Sequence, residues 1–131
     1  MPIVVGFTPT PEGEAAVARA VVEARAHGQD LLVLNVSARS DPPEETFASD
    51  AEIATLEETL AASGVPHEVR QLVRGKDPAD EVVEIARAAG AEMIVIGLRH
   101  RSPVGKLLLG SNSQRILLEA GCPVLAVKAA R

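Results

Sequence analysis

The chain has 131 residues, is 47% apolar, contains 24% charged residues and carries a formal net charge of −5 at pH 7. This length and composition predict a single folded domain spanning residues 1–131 and argue against a disordered chain. The acidic net charge and an aromatic content of only 2% also argue against a general nucleic-acid binder. Such proteins need a basic surface, or aromatic side chains on which bases stack.

A single cysteine, Cys122, and three widely separated histidines limit the chemistry that the chain can carry. One cysteine excludes an internal disulfide and a thiolate metal cluster, which favours a reducing compartment, and the histidines lack the spacing of metal ligands. The N-terminal stretch has no basic region, and no apolar run approaches the ~18 residues that span a membrane. We therefore expect a cytoplasmic protein with no metal site, no membrane segment and no nucleic-acid partner.

Five short apolar runs alternate with four helical patterns along the chain. The runs cover 3–7, 31–36, 69–73, 93–98 and 123–127. The helical patterns cover about 11–27, 44–63, 78–89 and 110–120, and each is followed by a glycine. Pro11 and the pair Asp77-Pro78 are typical helix starts, with Asp77 as the N-cap. The alternation predicts an α/β fold with a doubly wound, mostly parallel sheet.

The apolar runs differ in how continuous they are. Four of them are nearly unbroken, as is typical of strands that are buried on both faces of a sheet. The stretch 67–73 instead alternates apolar and polar residues, which predicts an edge strand. The last run is short and begins with proline, and it therefore indicates a second edge.

Ligands of doubly wound sheets bind beyond the carboxyl ends of the strands, where the strand order reverses. The loop after the fourth run is informative because the chain between Gly97 and Leu118 holds four basic residues and no acidic residue. These are Arg99, Arg101, Lys106 and Arg115. Cations without a facing acid, glycines that permit close approach and a hydroxyl-rich helix N-terminus together predict an anion site. Alternatively, the glycines serve turns and the cations form a solvated surface.

The sequence contains neither a P-loop nor a glycine-rich dinucleotide-binding loop. Gly105-Lys106 imitates the end of a P-loop, but the flanking residues do not match that motif. Thr8-Pro9 follows the first run in place of a glycine-rich dinucleotide loop. A two-component receiver is rejected as well, because it needs acidic residues at the position of Thr8.

The glycine spacing supports a more specific interpretation. Gly97 is followed at the matching distance by Gly110-Ser111, then by a helix and the apolar stretch 122–128. This arrangement resembles the universal stress protein family, whose signature is Gly-x2-Gly-x9-Gly-Ser/Thr. The resemblance covers about 3–128, which is nearly the whole chain.

The resemblance implies a five-stranded parallel sheet in the order 3-2-1-4-5, with helices on both faces. It also implies a homodimer formed through the last strand, from Pro123 to Val127. Many members bind ATP between the loops after strands one and four. ATP or another adenine nucleotide is therefore the expected ligand, with Mg²⁺ bound only through the phosphates.

The family pattern also implies roles for particular residues. Phosphate contacts map onto Gly97, Gly110 and Ser111, and Ser113 is a neighbour, as is Asn112 between them. Backbone near the end of the second strand, at about Val36, would hold the adenine.

Two positions depart from the pattern of ATP-binding members. His100 replaces the second glycine of the signature, and Thr8-Pro9-Thr10 replaces the Asp-Gly-Ser that usually follows strand one. Both changes weaken the prediction of a nucleotide site, because Pro9 has no backbone N–H and His100 obstructs close approach. His100 is still a candidate site residue, because a protonated imidazole could contact a phosphate directly. Arg99 and Arg101 favour retention of the site, because they supply charge where phosphates would lie. Arg99 and Arg101 are therefore candidate site residues as well.

Three functional hypotheses remain open. The first is a homodimeric stress-response regulatory protein that binds an adenine nucleotide. The second is an interaction module of the same fold that has lost nucleotide binding. The third is a slow nucleotide hydrolase, which would act only by positioning phosphates because no catalytic set of side chains stands out.

Overall fold

The computed structural model describes residues 1–40, 42–99 and 109–129. Five strands alternate with four helices along these residues. The strands are β1 (Ile3–Gly6), β2 (Leu31–Val36), β3 (His67–Leu72), β4 (Met93–Leu98) and β5 (Val124–Lys128). The helices are α1 (Pro11–His27), α2 (Asp50–Ser63), α3 (Pro78–Ala89) and α4 (Ser111–Glu119).

All five strands are parallel and lie in the order β3-β2-β1-β4-β5. The predicted sheet order is therefore confirmed, and both predicted edge strands, β3 and β5, lie at edges. Val5 of β1 is in register with Val33 of β2 on one side and with Val95 of β4 on the other. The strand order reverses between β1 and β4, so a cleft is expected beyond their carboxyl ends.

The core lies in two layers, one on each face of the sheet. Successive residues of a strand point to opposite faces. Ile3 and Val5 therefore pack in the layer under α1 and α2, and Val4 packs in the layer under α3 and α4. All three are fully buried. This two-sided burial explains the continuous apolar runs, and it confirms the prediction of helices on both faces.

Helix α2 begins at Asp50, and the predicted start near Glu44 is wrong. The backbone N–H of Glu44 donates to Ser37 Oγ, and that of Ala48 donates to Asn35 Oδ1. Side chains from the end of β2 thus satisfy backbone groups that a helix would otherwise use. The helix starts only after Ser49, which forms a capping box with Glu52.

We expect Ser49→Ala to lower the free energy of unfolding by about 1 kcal/mol, because the α2 N-terminus loses its cap. Thr59→Ala is the matched control, since this exposed hydroxyl only bonds back to the Thr55 carbonyl within the helix. The control should be neutral or slightly stabilising, because alanine has the higher helix propensity. Urea denaturation of both variants measures the difference, and equal stabilities would contradict the capping role.

Within the described residues, no helix combines the length and apolar character needed to cross a membrane.

Candidate functional site

A cleft opens where the strand order reverses, beyond the carboxyl ends of β1 and β4. The part of it bounded by described residues has a volume of about 160 Å³. Its polar lining residues are Thr8, Glu12, Thr46, Asn112 and Ser113. Its apolar lining includes Leu34, Val36, Val82, Ile96 and Ile116. We call this the switch-point cleft; among the described residues it brings together the loops after β1 and β2, the end of β4 and the N-termini of α3 and α4.

The N-terminus of α4 forms one wall of the switch-point cleft. Gly110 is its N-cap, and among the described residues no side chain caps this helix. Asn112 and Ser113, in the first turn, line the cleft, and that turn contains no acidic residue. The first N–H groups of a helix lack partners within it and carry its positive dipole end. This wall is therefore suited to an anion. Gly110 and Ser111 do not line the described part of the cleft, and the phosphate contacts of Gly110 to Ser113 stay predictions.

Gly97, the last lining residue of β4, has a structural role that we did not anticipate. A β-carbon at this position would overlap the carbonyl oxygen of Glu12, in the first turn of α1. Gly97 is therefore needed for α1 to pack against β4. Gly110 has no such neighbour among the described residues, so the two glycines of the signature differ in what requires them.

The segment after β1 divides between two places. Thr8 lines the switch-point cleft, and its hydroxyl lies 2.8 Å from the Thr10 hydroxyl. Thr10 is the N-cap of α1 and accepts from the Gly13 N–H at 3.1 Å. Pro9 lines a separate apolar groove of about 720 Å³ between α1 and α2. Of the predicted Thr8-Pro9-Thr10 set, only Thr8 lines the cleft, and ligand contacts by the other two stay a prediction.

The prediction that the basic residues of this region face no acid is wrong for Arg115. Its guanidinium pairs with Asp80, with Asp77 at 3.3 Å and with Glu119 at 3.5 Å. Asp77 does occupy the N-cap position of α3, but its carboxylate makes no capping hydrogen bond. Arg115 therefore ties α4 to the start of α3, and its charge is already balanced.

Of the other predicted cations, the structure describes Arg99. Arg99 follows β4 directly and is exposed. His100, Arg101 and Lys106 lie outside the described residues, so their predicted roles stay predictions.

The wall opposite α4 is built by the end of β2 and the loop that follows it. Val36 is buried and lines the cleft, and Thr46 of the loop lines it as well. Asn35 and Ser37 are fully buried and bond to the backbone of this loop. We did not predict Thr46, Glu12 or Asn35. A signal was present for Asn35, which is the one polar residue in an otherwise apolar strand.

The described groups whose pKa values are shifted lie outside the lining of the cleft. The pKa of Glu81 in α3 is lowered, first by its two hydrogen bonds from Arg74 at 2.7 and 2.9 Å, against the opposing effect of burial. Burial raises the pKa of the Cys122 thiol, as expected for a small, half-buried hydrophobe. In the part of the chain described, no three His, Cys, Asp or Glu side chains gather as metal ligands would.

Comparison with known proteins agrees with this architecture. The family model described as "Universal stress protein family" matches residues 1–128. A universal stress protein from Mycolicibacterium smegmatis is 48% identical over 96% of both chains. The solved structure of a universal stress protein from Archaeoglobus fulgidus is 35% identical over 98% of both chains, with a TM-score of 0.73. A second structure from that organism, in complex with dAMP, is 29% identical over 98% of both chains, with a TM-score of 0.69.

The fold, the strand order and the cleft beyond the ends of β1 and β4 thus occur together with a sequence match over nearly the whole chain. The protein belongs to the universal stress protein family.

Proposed function

We propose that this protein binds an adenine nucleotide in the switch-point cleft and acts as a homodimeric stress-response regulator in the cytoplasm. The phosphates would lie at the N-terminus of α4, and the base would lie toward Val36 and Thr46. The observation that carries the proposal is the first turn of α4, which lines the cleft without a side-chain cap among the described residues. Such a helix end favours negatively charged oxygens.

The comparisons support the choice of nucleotide. The Archaeoglobus fulgidus protein that is 29% identical to this chain is described in complex with dAMP. Its structure aligns with this chain over 98% of both chains, which supports a similar ligand here. The apolar lining of the cleft near Val36 fits a purine ring.

The lining residues also bear on Mg²⁺. Glu12 is the one carboxylate among the described lining residues of the cleft. One carboxylate together with phosphate oxygens is a common environment for Mg²⁺. Glu12 therefore fits a metal ion held mainly by the nucleotide, and without the ion its charge opposes a phosphate.

The β5 edge supports the proposed homodimer. Among the described residues, strand β5 pairs with β4 on one side only, and its residues 124–127 remain partly exposed. Leu118 at the end of α4 is 84% exposed nearby in the chain. An uncovered apolar edge strand is a ready surface for a second copy. Light scattering should give a mass near twice 13.7 kDa, and a monomer mass at micromolar concentration would contradict the dimer.

The alternative function is an interaction module that binds no nucleotide. One observation favours it: the cleft volume of about 160 Å³ lies below the ~300 Å³ typical of small-molecule sites. That volume is the one bounded by the described residues. The two functions therefore have to be separated by binding measurements.

The proposed function predicts that Ser113→Glu weakens AMP binding about 100-fold or more, because a carboxylate would stand where the phosphate lies. The variant should fold as well as the wild type, since an acidic residue near a helix N-terminus is favourable. Gln114→Glu is the matched control: it adds the same charge one residue later, at an exposed position outside the cleft lining. Its AMP affinity should stay within a few-fold of wild type.

Isothermal titration with AMP, ADP and ATP measures these affinities. Mass spectrometry of heat-released supernatant reports any nucleotide that co-purifies. If the wild-type protein takes up none of the three, the interaction module becomes the better account. If Ser113→Glu binds as tightly as Gln114→Glu, phosphates do not lie at the α4 N-terminus. Phosphate release that survives Ser113→Glu would indicate a contaminant rather than a slow hydrolase.

A further inference from the structure

Asn35 is fully buried at the end of β2, and its side-chain amide makes four hydrogen bonds. Its Nδ2 donates to the carbonyl oxygens of Phe7 and Thr46, each at 2.9 Å. Its Oδ1 accepts from the Ala48 N–H at 2.8 Å and from Gln71 Nε2 at 3.1 Å. One amide thus connects the end of β1, the loop after β2 and strand β3.

The orientation of this amide is unambiguous. A peptide N–H only donates and a carbonyl only accepts, so the Asn35 oxygen must face Ala48 and its nitrogen must face the two carbonyls. Gln71, the register partner of Asn35 on β3, adds a second bond to the Ala48 carbonyl at 2.9 Å. A buried polar network with every partner satisfied holds its members in one arrangement.

We propose that Asn35 and Gln71 are positioning residues for recognition of the nucleobase. They hold the loop after β2 in place at the switch-point cleft, so that the cleft fits the base. This inference rests on the proposed function. Phe7 and Thr46 both line the cleft, on the β1 side and the loop side, and the same Asn35 nitrogen holds both carbonyls. The network therefore sets the distance between Phe7 and Thr46 at the Val36 end of the cleft.

The network acts at one end of the cleft only. None of its hydrogen bonds reaches α4, whose N-terminus is the proposed phosphate end. Loosening it should therefore weaken recognition of the base and spare recognition of the phosphate. A residue that merely stabilised the fold would affect both ends alike.

The test uses Gln71→Met, which keeps an unbranched side chain of similar length but removes both donated bonds. Asn35 retains its other three bonds, and Gln71 is only half-buried on an edge strand, so the variant should fold. The matched control is Arg70→Met, one residue earlier on β3, which removes an exposed pair with Glu68. Urea denaturation verifies that both variants are folded.

We expect Gln71→Met to weaken AMP binding roughly tenfold, as for the loss of one or two hydrogen bonds. Its affinity for ribose 5-phosphate, measured by displacement of AMP, should change less than about twofold because the phosphate end is intact. The Ala48 amide should exchange with solvent faster in this variant. Arg70→Met should match the wild type in all three measurements.

Two results would overturn the inference in different ways. If Gln71→Met binds AMP as the wild type does, or loses AMP and ribose 5-phosphate equally, the network does not select for the base, although nucleotide binding stands. If the wild-type protein binds no AMP, the proposed function fails and this inference fails with it.

Discussion

Replacing Gly97 with alanine is expected to destabilise the fold by about 2–3 kcal/mol, as for overpacking at a site where the backbone must move. The added β-carbon would overlap the Glu12 carbonyl oxygen, so α1 and β4 would have to separate. Both elements border the switch-point cleft, and AMP binding should fall below detection. Urea denaturation and isothermal titration measure the two effects.

Gly110→Ala is the matched control, because it changes the second glycine of the same signature. Its backbone has ordinary extended angles, with φ of −67°, and no described atom lies within 4 Å of an added β-carbon. The expected cost is at most about 1 kcal/mol, since alanine is a weaker N-cap than glycine. If Gly97→Ala were as stable as Gly110→Ala, the close approach of α1 to β4 would be refuted.

The Arg74→Met variant is expected to be less stable than the wild type, with the largest difference at neutral pH. The difference should shrink as the pH falls below 4.5. Glu81 has a side chain that is 0% exposed, whereas the Arg74 side chain is 54% exposed. Removing the arginine therefore leaves a buried carboxylate without its partner. An unpaired buried charge strongly destabilises the folded state.

The sign of the pH dependence reverses between the two proteins. In the wild type the pKa of Glu81 is depressed, chiefly by Arg74, from 4.5, so its stabilisation is present above that pH and is lost as the pH falls through the folded-state pKa. Without Arg74, burial outweighs the remaining attraction of Lys76 and raises the pKa above 4.5. The protonated form is then preferred in the folded state, so stability declines as the pH rises.

The measurement is the difference in urea midpoint between wild type and variant at pH 4 and at pH 7. Lys76→Met is the control, because its pair with Glu84 is about half exposed on both sides. Its difference from the wild type should be small at both pH values. A difference for Arg74→Met that does not widen from pH 4 to pH 7 would contradict this account.

Elements with local start and stop signals were predicted accurately from the sequence. Helix α1 runs from Pro11 to the residue before Gly28, and α3 from Pro78 to the residue before Gly90, as predicted. Both glycines have φ of 63°, a left-handed conformation that ends a helix at little cost. These signals act over a few residues, so composition and spacing are sufficient to recognise them.

Helix α2 was misjudged because its start is decided by residues distant in the chain. Ser37 and Asn35 take the backbone groups of Glu44 and Ala48, and these contacts exist only once the loop folds back onto β2. The sequence between 44 and 48 does not reveal these contacts, but the Ser49–Glu52 capping box is a local start signal that was overlooked.

Several of the predicted site residues meet at one cleft, while their ligand contacts stay predictions. The α4 N-terminus, Thr8 and Val36 do line one cleft. The prediction that Arg115 faces no acid was wrong because its partners on α3 lie 35 and 38 residues away in sequence. Helix–helix contacts of that kind depend on the whole packing of the sheet.

The sequence by itself determined the alternation of strands and helices, the edge character of β3, the family and the end of the sheet at which a ligand would bind. Apolar continuity, proline and glycine positions and the signature spacing are local or linear properties, and they can be recognised without coordinates. Only the tertiary structure decided that Gly97 serves the α1–β4 contact, that Arg115 is neutralised, and that Asn35 connects the end of β1 with the loop after β2. Each of these depends on which distant groups approach within a few ångströms, and that is a property of the folded chain.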